Sequence, residues 1–144
     1  MHACNIRRHA RLAHLLDKTK EILFARHQNL GDTFFAYTEY VKWAGDINGG
    51  LFKLNLTPEA EKNGSFAEAT PIIKTETGGT LRDPALSYDE KRLLFAWRKE
   101  KSDPQYQVYE MELATGKTRA IAGGSDTYGA SYEPVYLPNG DILF

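Results

Sequence analysis

Two acid–proline pairs lie fifty residues apart in this chain, and each follows a side chain that could share in binding. The pairs are Asp83-Pro84 and Glu133-Pro134, which follow Arg82 and Tyr132. Carboxylates beside a guanidinium and an aromatic ring could hold a cation or a polar ligand. In the structural interpretation, each acid accepts hydrogen bonds from turn amides and each proline stiffens the chain. Both interpretations stay open at this stage.

Residues that could bind metal are few and poorly spaced. His9 and His14 are five apart, so they do not share a helix face. His2 and the only cysteine, Cys4, stand in the first few residues, and no zinc spacing is present. His27, after an apolar run, is the histidine best placed for a function, although a packing role is favoured for it. The sequence therefore predicts no metal site.

Catalytic motifs are also missing from the sequence. None of the five serines stands in a Gly-x-Ser-x-Gly elbow, and the glycine pairs lack the lysine of a phosphate-binding loop. The net charge of −1, with 26% charged residues, gives no electrostatic basis for binding nucleic acid or an anionic membrane. No run of 18 apolar residues predicts a transmembrane helix.

The acid–proline pairs open a longer repeat, which covers residues 83–95 and 133–144. Each copy has an acid, a proline, a short apolar strand, a polar turn and an apolar strand that ends in phenylalanine. A repeat of this period, built from strands and turns, is typical of a β-propeller blade. Because the second copy stops at Phe144 within a strand, we expect the chain to be a piece of a longer protein.

The elements around the repeat complete the predicted fold. Ile6–Asp17 has the spacing of an amphipathic helix, which we expect to depend on packing against the rest of the chain. Ile22–Ala25 matches Leu93–Ala96 and Ile142–Phe144, and we predict all three to be buried inner strands. The aromatic run Phe34–Trp43 lies in an insertion, where docking of a neighbouring domain is favoured over a ligand lip.

The sequence thus predicts an all-β fold, a partial β-propeller of about two four-stranded antiparallel blades plus the start of a third, with a short N-terminal α-helix. The helical segment is residues 1–20 and the incomplete propeller domain is residues 21–144. Within that domain, blade 1 covers about residues 21–80 with the insertion, blade 2 about 81–124, and the start of blade 3 about 125–144.

The second blade resembles the TolB-like and WD40-like propeller repeats. The matching residues are Asp83-Pro84, Ser87-Tyr88-Asp89, Leu93-Leu94-Phe95, Val108-Tyr109-Glu110-Met111 and Ala114-Thr115-Gly116. Nearly the whole chain also resembles large bacterial proteins related to the hydrazine synthase alpha subunit. The segments that carry this likeness are Arg11–Leu16, Ile22–His27, Asn29–Gly31, Tyr37–Glu39, Leu81–Pro84, Tyr109–Met111 and Tyr136–Asp141.

This resemblance implies a periplasmic or extracytoplasmic propeller beside the haem-bearing parts of a multi-haem enzyme, although the chain has no signal peptide and a cytoplasmic location stays open. The chain departs from that enzyme because it has no Cys-x-x-Cys-His motif. We therefore expect no cofactor in this chain, and any c-type haem would belong to other parts of the parent protein.

The expected function is a non-catalytic scaffold or binding region with Arg82, Asp83, Tyr132 and Glu133 at a channel-facing site. Its partners would be the rest of its propeller, neighbouring domains or another protein, without nucleic acid or membrane insertion. The alternative is part of a periplasmic multi-haem redox enzyme, or of a propeller-gated hydrolase, whose catalytic residues lie outside this chain.

Overall fold

The computed structural model describes residues 2–26, 49–56, 61–62, 65–66, 69–75, 78–100, 102–103, 105–122 and 130–144. Within these ranges one helix precedes eleven strands, which confirms the predicted all-β class with an N-terminal helix. His27 and the aromatic run Phe34–Trp43 lie outside the described residues.

The elements are short and follow one another closely. The helix, α1, covers His2–Lys18. The strands are β1 Glu21–Arg26, β2 Gly50–Asn55, β3 Glu61–Lys62, β4 Ser65–Phe66, β5 Thr70–Lys74, β6 Gly78–Leu86, β7 Arg92–Glu100, β8 Gln107–Glu112, β9 Thr118–Ala122, β10 Val135–Tyr136 and β11 Ile142–Leu143.

Helix α1 is longer than the predicted Ile6–Asp17 at both ends, because alanine, leucine and arginine favour a helix throughout the segment. Its last turn is closed by the N–H of Thr19, which donates to the Leu15 carbonyl at 2.7 Å. Ile6 is 58% exposed and Leu15 is 44% exposed. These two apolar side chains therefore face solvent, and the dependence of the helix on packing stays a prediction.

The described strands form four antiparallel sheets. The largest has the order β6-β7-β8-β9, so its strands are neighbours in both sequence and space, as predicted for one blade. The first sheet has the order β1-β2-β5, and β10-β11 and β3-β4 are hairpins.

The first sheet repeats the pairing of the largest one. Phe24 of β1 stands opposite Phe52 of β2, and Phe95 of β7 stands opposite Tyr109 of β8. The two ring pairs are stacked, with centroids 6.0 Å apart in the first sheet and 6.2 Å apart in the second. Strands β1 and β2 are therefore the structural counterparts of β7 and β8.

The same register shift also occurs in both sheets. The pairing of β2 with β5 shifts between Leu51 and Phe52, and the pairing of β8 with β9 shifts between Val108 and Tyr109. Since Leu51 and Val108 stand opposite Ala25 and Ala96, the two shifts lie at equivalent positions. Strand β5 is thus the counterpart of β9.

The first sheet differs from the prediction in having three described strands instead of four. No described strand pairs with the edge of β1 that faces away from β2, which is the edge equivalent to the one that β6 occupies on β7. The residues that precede β1 form α1 instead of a strand. Ile22 is consequently 37% exposed and the rest of β1 is at most half-buried, so β1 is an edge strand and not the predicted buried inner strand.

The largest sheet lies between the first sheet and the β10-β11 hairpin. One of its faces places Leu93 and Phe95 against Leu51 of the first sheet. The opposite face places Leu94 and Val108 against Tyr136 of the hairpin. Because successive residues of a strand point to opposite faces, the continuous apolar run of β7 supplies both cores.

Candidate functional site

The two predicted acids share an unusual backbone conformation. Asp83 and Glu133 both have φ of 54°, in the left-handed region that side-chain-bearing residues rarely adopt. Asp83 lies where the pairing of β6 with β7 shifts register between Arg82 and Ala85. Each acid therefore turns the chain immediately before its proline. Non-glycine residues in this conformation persist only where neighbouring contacts hold them.

Those contacts join the two acids directly. The Oδ2 atom of Asp83 lies 2.8 Å from Nε of Arg82, and it accepts a hydrogen bond of 3.2 Å from the backbone N–H of Glu133. One carboxylate oxygen thus holds both its own neighbour and the equivalent turn fifty residues later. This arrangement gives Asp83 the anchoring role of the structural interpretation.

The guanidinium of Arg82 lies near two aromatic rings. Its Cζ atom is 5.3 Å from the Tyr132 ring centroid and 6.0 Å from that of Tyr106. Tyr106 is 7% exposed, its hydroxyl contacts that of Thr80, and its carbonyl accepts a hydrogen bond from the N–H of Ser131 at 3.0 Å. The structure therefore brings the four predicted site residues together and adds Tyr106.

The charges of this cluster do not cancel. Asp83 is paired with Arg82, whereas Glu133 is exposed to solvent next to Tyr132. Arg82 is thus paired with one of the two carboxylates, and the exposed carboxylate belongs to Glu133, which follows Tyr132 directly in the chain. Such a pair can attract a compact organic cation. Tyr106 was missed by the sequence analysis because a tyrosine before an apolar strand carries no signal of its own.

A second charged cluster, which the sequence did not indicate, lies between the largest sheet and the hairpin. Glu110 of β8 is only 5% exposed. Its Oε2 accepts hydrogen bonds from Nε and Nη2 of Arg119 at 2.8 and 2.6 Å, and its Oε1 accepts one from the Tyr136 hydroxyl at 2.8 Å. Nη1 of Arg92 lies 3.4 Å from the same Oε1. The buried carboxylate therefore fastens the hairpin to the sheet.

The environment shifts the ionisation of both partners. Burial disfavours the Glu110 carboxylate, but hydrogen bonds from Arg119 and Tyr136 and the charges of Arg119 and Arg92 outweigh it, so the Glu110 pKa is lowered. Burial and the bond to Glu110 raise the pKa of Tyr136 well above its ordinary value. The glutamate is thus ionised and the tyrosine neutral at pH 7.

The first sheet contains the same ion pair with its charges exchanged. Nζ of Lys53 lies 2.9 Å from Oε1 of Glu21. Lys53 occupies the position of Glu110 and Glu21 that of Arg92, as the shared register of the two sheets requires. A diagonal pair that keeps its place while exchanging its charges has a structural role in each sheet, not a catalytic one.

The turns that follow the acid–proline pairs are also equivalent. The N–H of Glu90 donates to the Ser87 carbonyl at 2.9 Å, and that of Gly140 donates to the Leu137 carbonyl at 2.9 Å. Glu90 has φ of 58° where Gly140 has φ of 91°. In the first turn, the Ser87 hydroxyl and the N–H of Lys91 donate to Asp89 and lower its pKa.

The described ranges contain no group of three histidine, cysteine, aspartate or glutamate side chains that could hold a metal ion. They also contain no helix long and apolar enough to cross a membrane. In comparisons with known proteins, no family model and no curated protein matches the chain.

Proposed function

We propose that this chain is a non-catalytic β-propeller scaffold, part of a larger protein related to the hydrazine synthase alpha subunit, which binds a cationic partner at Glu133. The observation that supports the scaffold is that the first sheet and the largest sheet pair their strands in the same register, including the shifts at Leu51 and Val108. Sequence repeats alone predict similar units, whereas a shared irregularity in pairing supports one blade design used twice.

The order of stacking supports the same proposal. Leu23 and Leu51 of the first sheet face the largest sheet, and their counterparts Leu94 and Val108 face the hairpin. Each unit thus presents the same face to the unit that follows it in the chain. When each sheet packs on the next through the same face, successive sheets can be arranged around a common axis, as the blades of a propeller are.

Glu133 stands just before β10, whereas Asp83 lies within β6 at the register shift. In a propeller, β6 and β10 would be the strands next to the central channel. Asp83 anchors the turn, and the exposed Glu133 is left to contact a ligand, whereas the Tyr132 ring already lies 5.3 Å from Cζ of Arg82. The chemistry suits a guanidinium or an ammonium group, such as a basic side chain of a partner protein. An extracytoplasmic location, by the resemblance noted above, completes the proposal.

The ligand site can be tested by titrating the labelled chain with arginine amide and following backbone amide shifts by NMR. We expect saturable shifts at Tyr132 and Glu133, which Glu133→Gln abolishes because it removes the uncompensated charge. Glu112→Gln, which changes an exposed acid on β8, is the control and should leave the titration unchanged. Shifts that persist in Glu133→Gln, or no shifts at all, would leave the acids as turn anchors only.

A further inference from the structure

The edge of β1 that faces away from β2 has the geometry to accept a further strand. In β7, the Lys91 carbonyl accepts a bond from the N–H of Leu113 on the β8 side, and the Arg92 carbonyl accepts one from the N–H of Ser87 on the β6 side. In β1, the Lys20 carbonyl accepts a bond from the N–H of Leu56 on the β2 side. Since bonding alternates along an antiparallel strand, the backbone groups of Glu21, Leu23 and Ala25 face the edge at which no described strand pairs.

A groove of about 590 Å³ lies along this edge. Its walls are the start of β1 and the hairpin of β6 and β7, and its lining includes Ile22, Leu23, Pro84, Leu86 and Leu93. Ile22 and Leu86 are apolar side chains that are 37% and 47% exposed. The groove therefore places backbone groups that pair with no described strand beside a lining that is partly apolar and partly charged, the charged part being Lys18, Lys20, Glu21 and Glu90. Such a combination can bind an extended peptide.

The next repeat indicates what fits there. Tyr136 is the counterpart of Leu86 and is only 8% exposed, because Leu94, Val108 and Ala85 of the largest sheet cover it. Leu86 is not covered in this way. The strand that would supply the counterpart of Ala85, the equivalent of β6 in the first sheet, is not among the described strands. A strand on β1 would restore the missing contact.

We infer that β1 accepts one extended segment of the acid–proline–apolar type as a fourth strand. By the register of β6 on β7, the residue in the place of Ala85 stands opposite Leu23, and the residue in the place of Leu86 stands opposite Ile22. The acid of the segment accepts a hydrogen bond from the N–H of Asp83, as Asp83 accepts one from the N–H of Glu133. The inference rests on the pairing register and is independent of cation binding at Glu133.

The test uses the full 144-residue chain and a fluorescein-labelled peptide with the sequence of residues 81–88, followed by fluorescence anisotropy. We expect saturable binding. The N–H groups at the positions of Ala85 and Ser87 point toward the accepting strand, whereas that of Leu86 points away. N-methylation at the alanine should therefore weaken binding by about tenfold or more, and N-methylation at the leucine should change it by less than about threefold.

Amide hydrogen exchange locates the bound peptide. Exchange of Leu23 and Ala25 should slow when the peptide is added, whereas that of Thr118–Ala122, at the far edge of the largest sheet, should not change. Binding that is absent, that is equally affected by both methylations, or that protects β9 instead would overturn the inference. If a second copy of the chain occupied this edge, it would exclude the peptide, and no peptide binding would be seen.

Discussion

Oδ2 of Asp83 and the backbone nitrogen of Glu133 lie 3.2 Å apart, and both residues have φ of 54°. The two acids are thus equivalent in conformation but not in their contacts. Asp83 accepts the bond from its counterpart and pairs with Arg82, whereas the side chain of Glu133 is exposed. Under the proposed function, Asp83 holds the two repeats together and Glu133 contacts the ligand.

Asp83→Ala should therefore lower the free energy of unfolding by about 2 kcal/mol, because it removes a charged hydrogen bond and an ion pair from a half-buried turn. Glu133→Ala should change it by less than about 0.5 kcal/mol, since the side chain is exposed. Urea unfolding followed by circular dichroism measures both. Equal losses in the two variants would contradict the assigned division of roles.

Proline substitutions complete this comparison. Pro134 is fully buried, whereas Pro84 is half-buried beside the open groove. Pro134→Ala should consequently cost about 1–2 kcal/mol, more than Pro84→Ala, because it removes packed atoms as well as restraint on the unfolded chain. The same urea experiment compares them, and a larger loss for Pro84→Ala would show that rigidity at the groove matters more than packing.

Glu110→Gln should be the more damaging change at the hairpin. It leaves Arg119, Arg92 and the Tyr136 hydroxyl around a neutral amide, and we expect a loss of about 2–3 kcal/mol. Tyr136→Phe removes only the hydroxyl and should cost about 1 kcal/mol. Thermal unfolding monitored by tryptophan fluorescence reports both losses, with Glu112→Gln as the exposed control. A Glu110→Gln protein as stable as this control would show that the cluster contributes nothing.

Acid should weaken the protein through the same carboxylate. Because the pKa of Glu110 is lower in the folded chain, its contribution is complete above the ordinary glutamate pKa of about 4.3 and is lost as the pH falls through the folded value. Asp89, whose pKa is also lowered, acts in the same direction. Melting temperatures between about pH 6 and pH 3 should fall less steeply in Glu110→Gln than in the parent chain. Parallel curves would contradict this assignment.

Substitutions in the two equivalent turns should change the free energy of unfolding in opposite directions. Glu90 holds φ of 58° with a side chain, so Glu90→Asn, which favours that region, should raise the free energy of unfolding by about 0.5 kcal/mol. Gly140 has φ of 91° with open space around it, so Gly140→Ala should lower it by about 1 kcal/mol through backbone strain alone. Denaturant midpoints measure both changes, and effects of the same sign would contradict the equivalence.

The repeat and the longer strands could be predicted from the sequence, whereas the short strands β3 and β4 were not. Alternation in Val108–Leu113 and the matching of residues 83–95 with 133–144 indicated strands and turns correctly, because side-chain periodicity and turn residues act locally. The apolar run of β7 indicated a strand buried on both faces, which the structure confirms. The same prediction for Ile142–Phe144 was wrong, since Leu143 is 58% exposed and Phe144 is 55% exposed.

Which of these residues contact one another depends on the tertiary structure. The bond between Asp83 and Glu133 and the burial of Glu110 against Tyr136 depend on how one sheet stacks on the next, and no local pattern records that contact. The left-handed conformation of the two acids was also hidden, since aspartate and glutamate before proline ordinarily suggest an extended chain. The edge of β1 that pairs with no described strand has the same cause: the residues before it favour a helix by periodicity, and only the register shared with β7 identifies this edge as the counterpart of the one that β6 occupies.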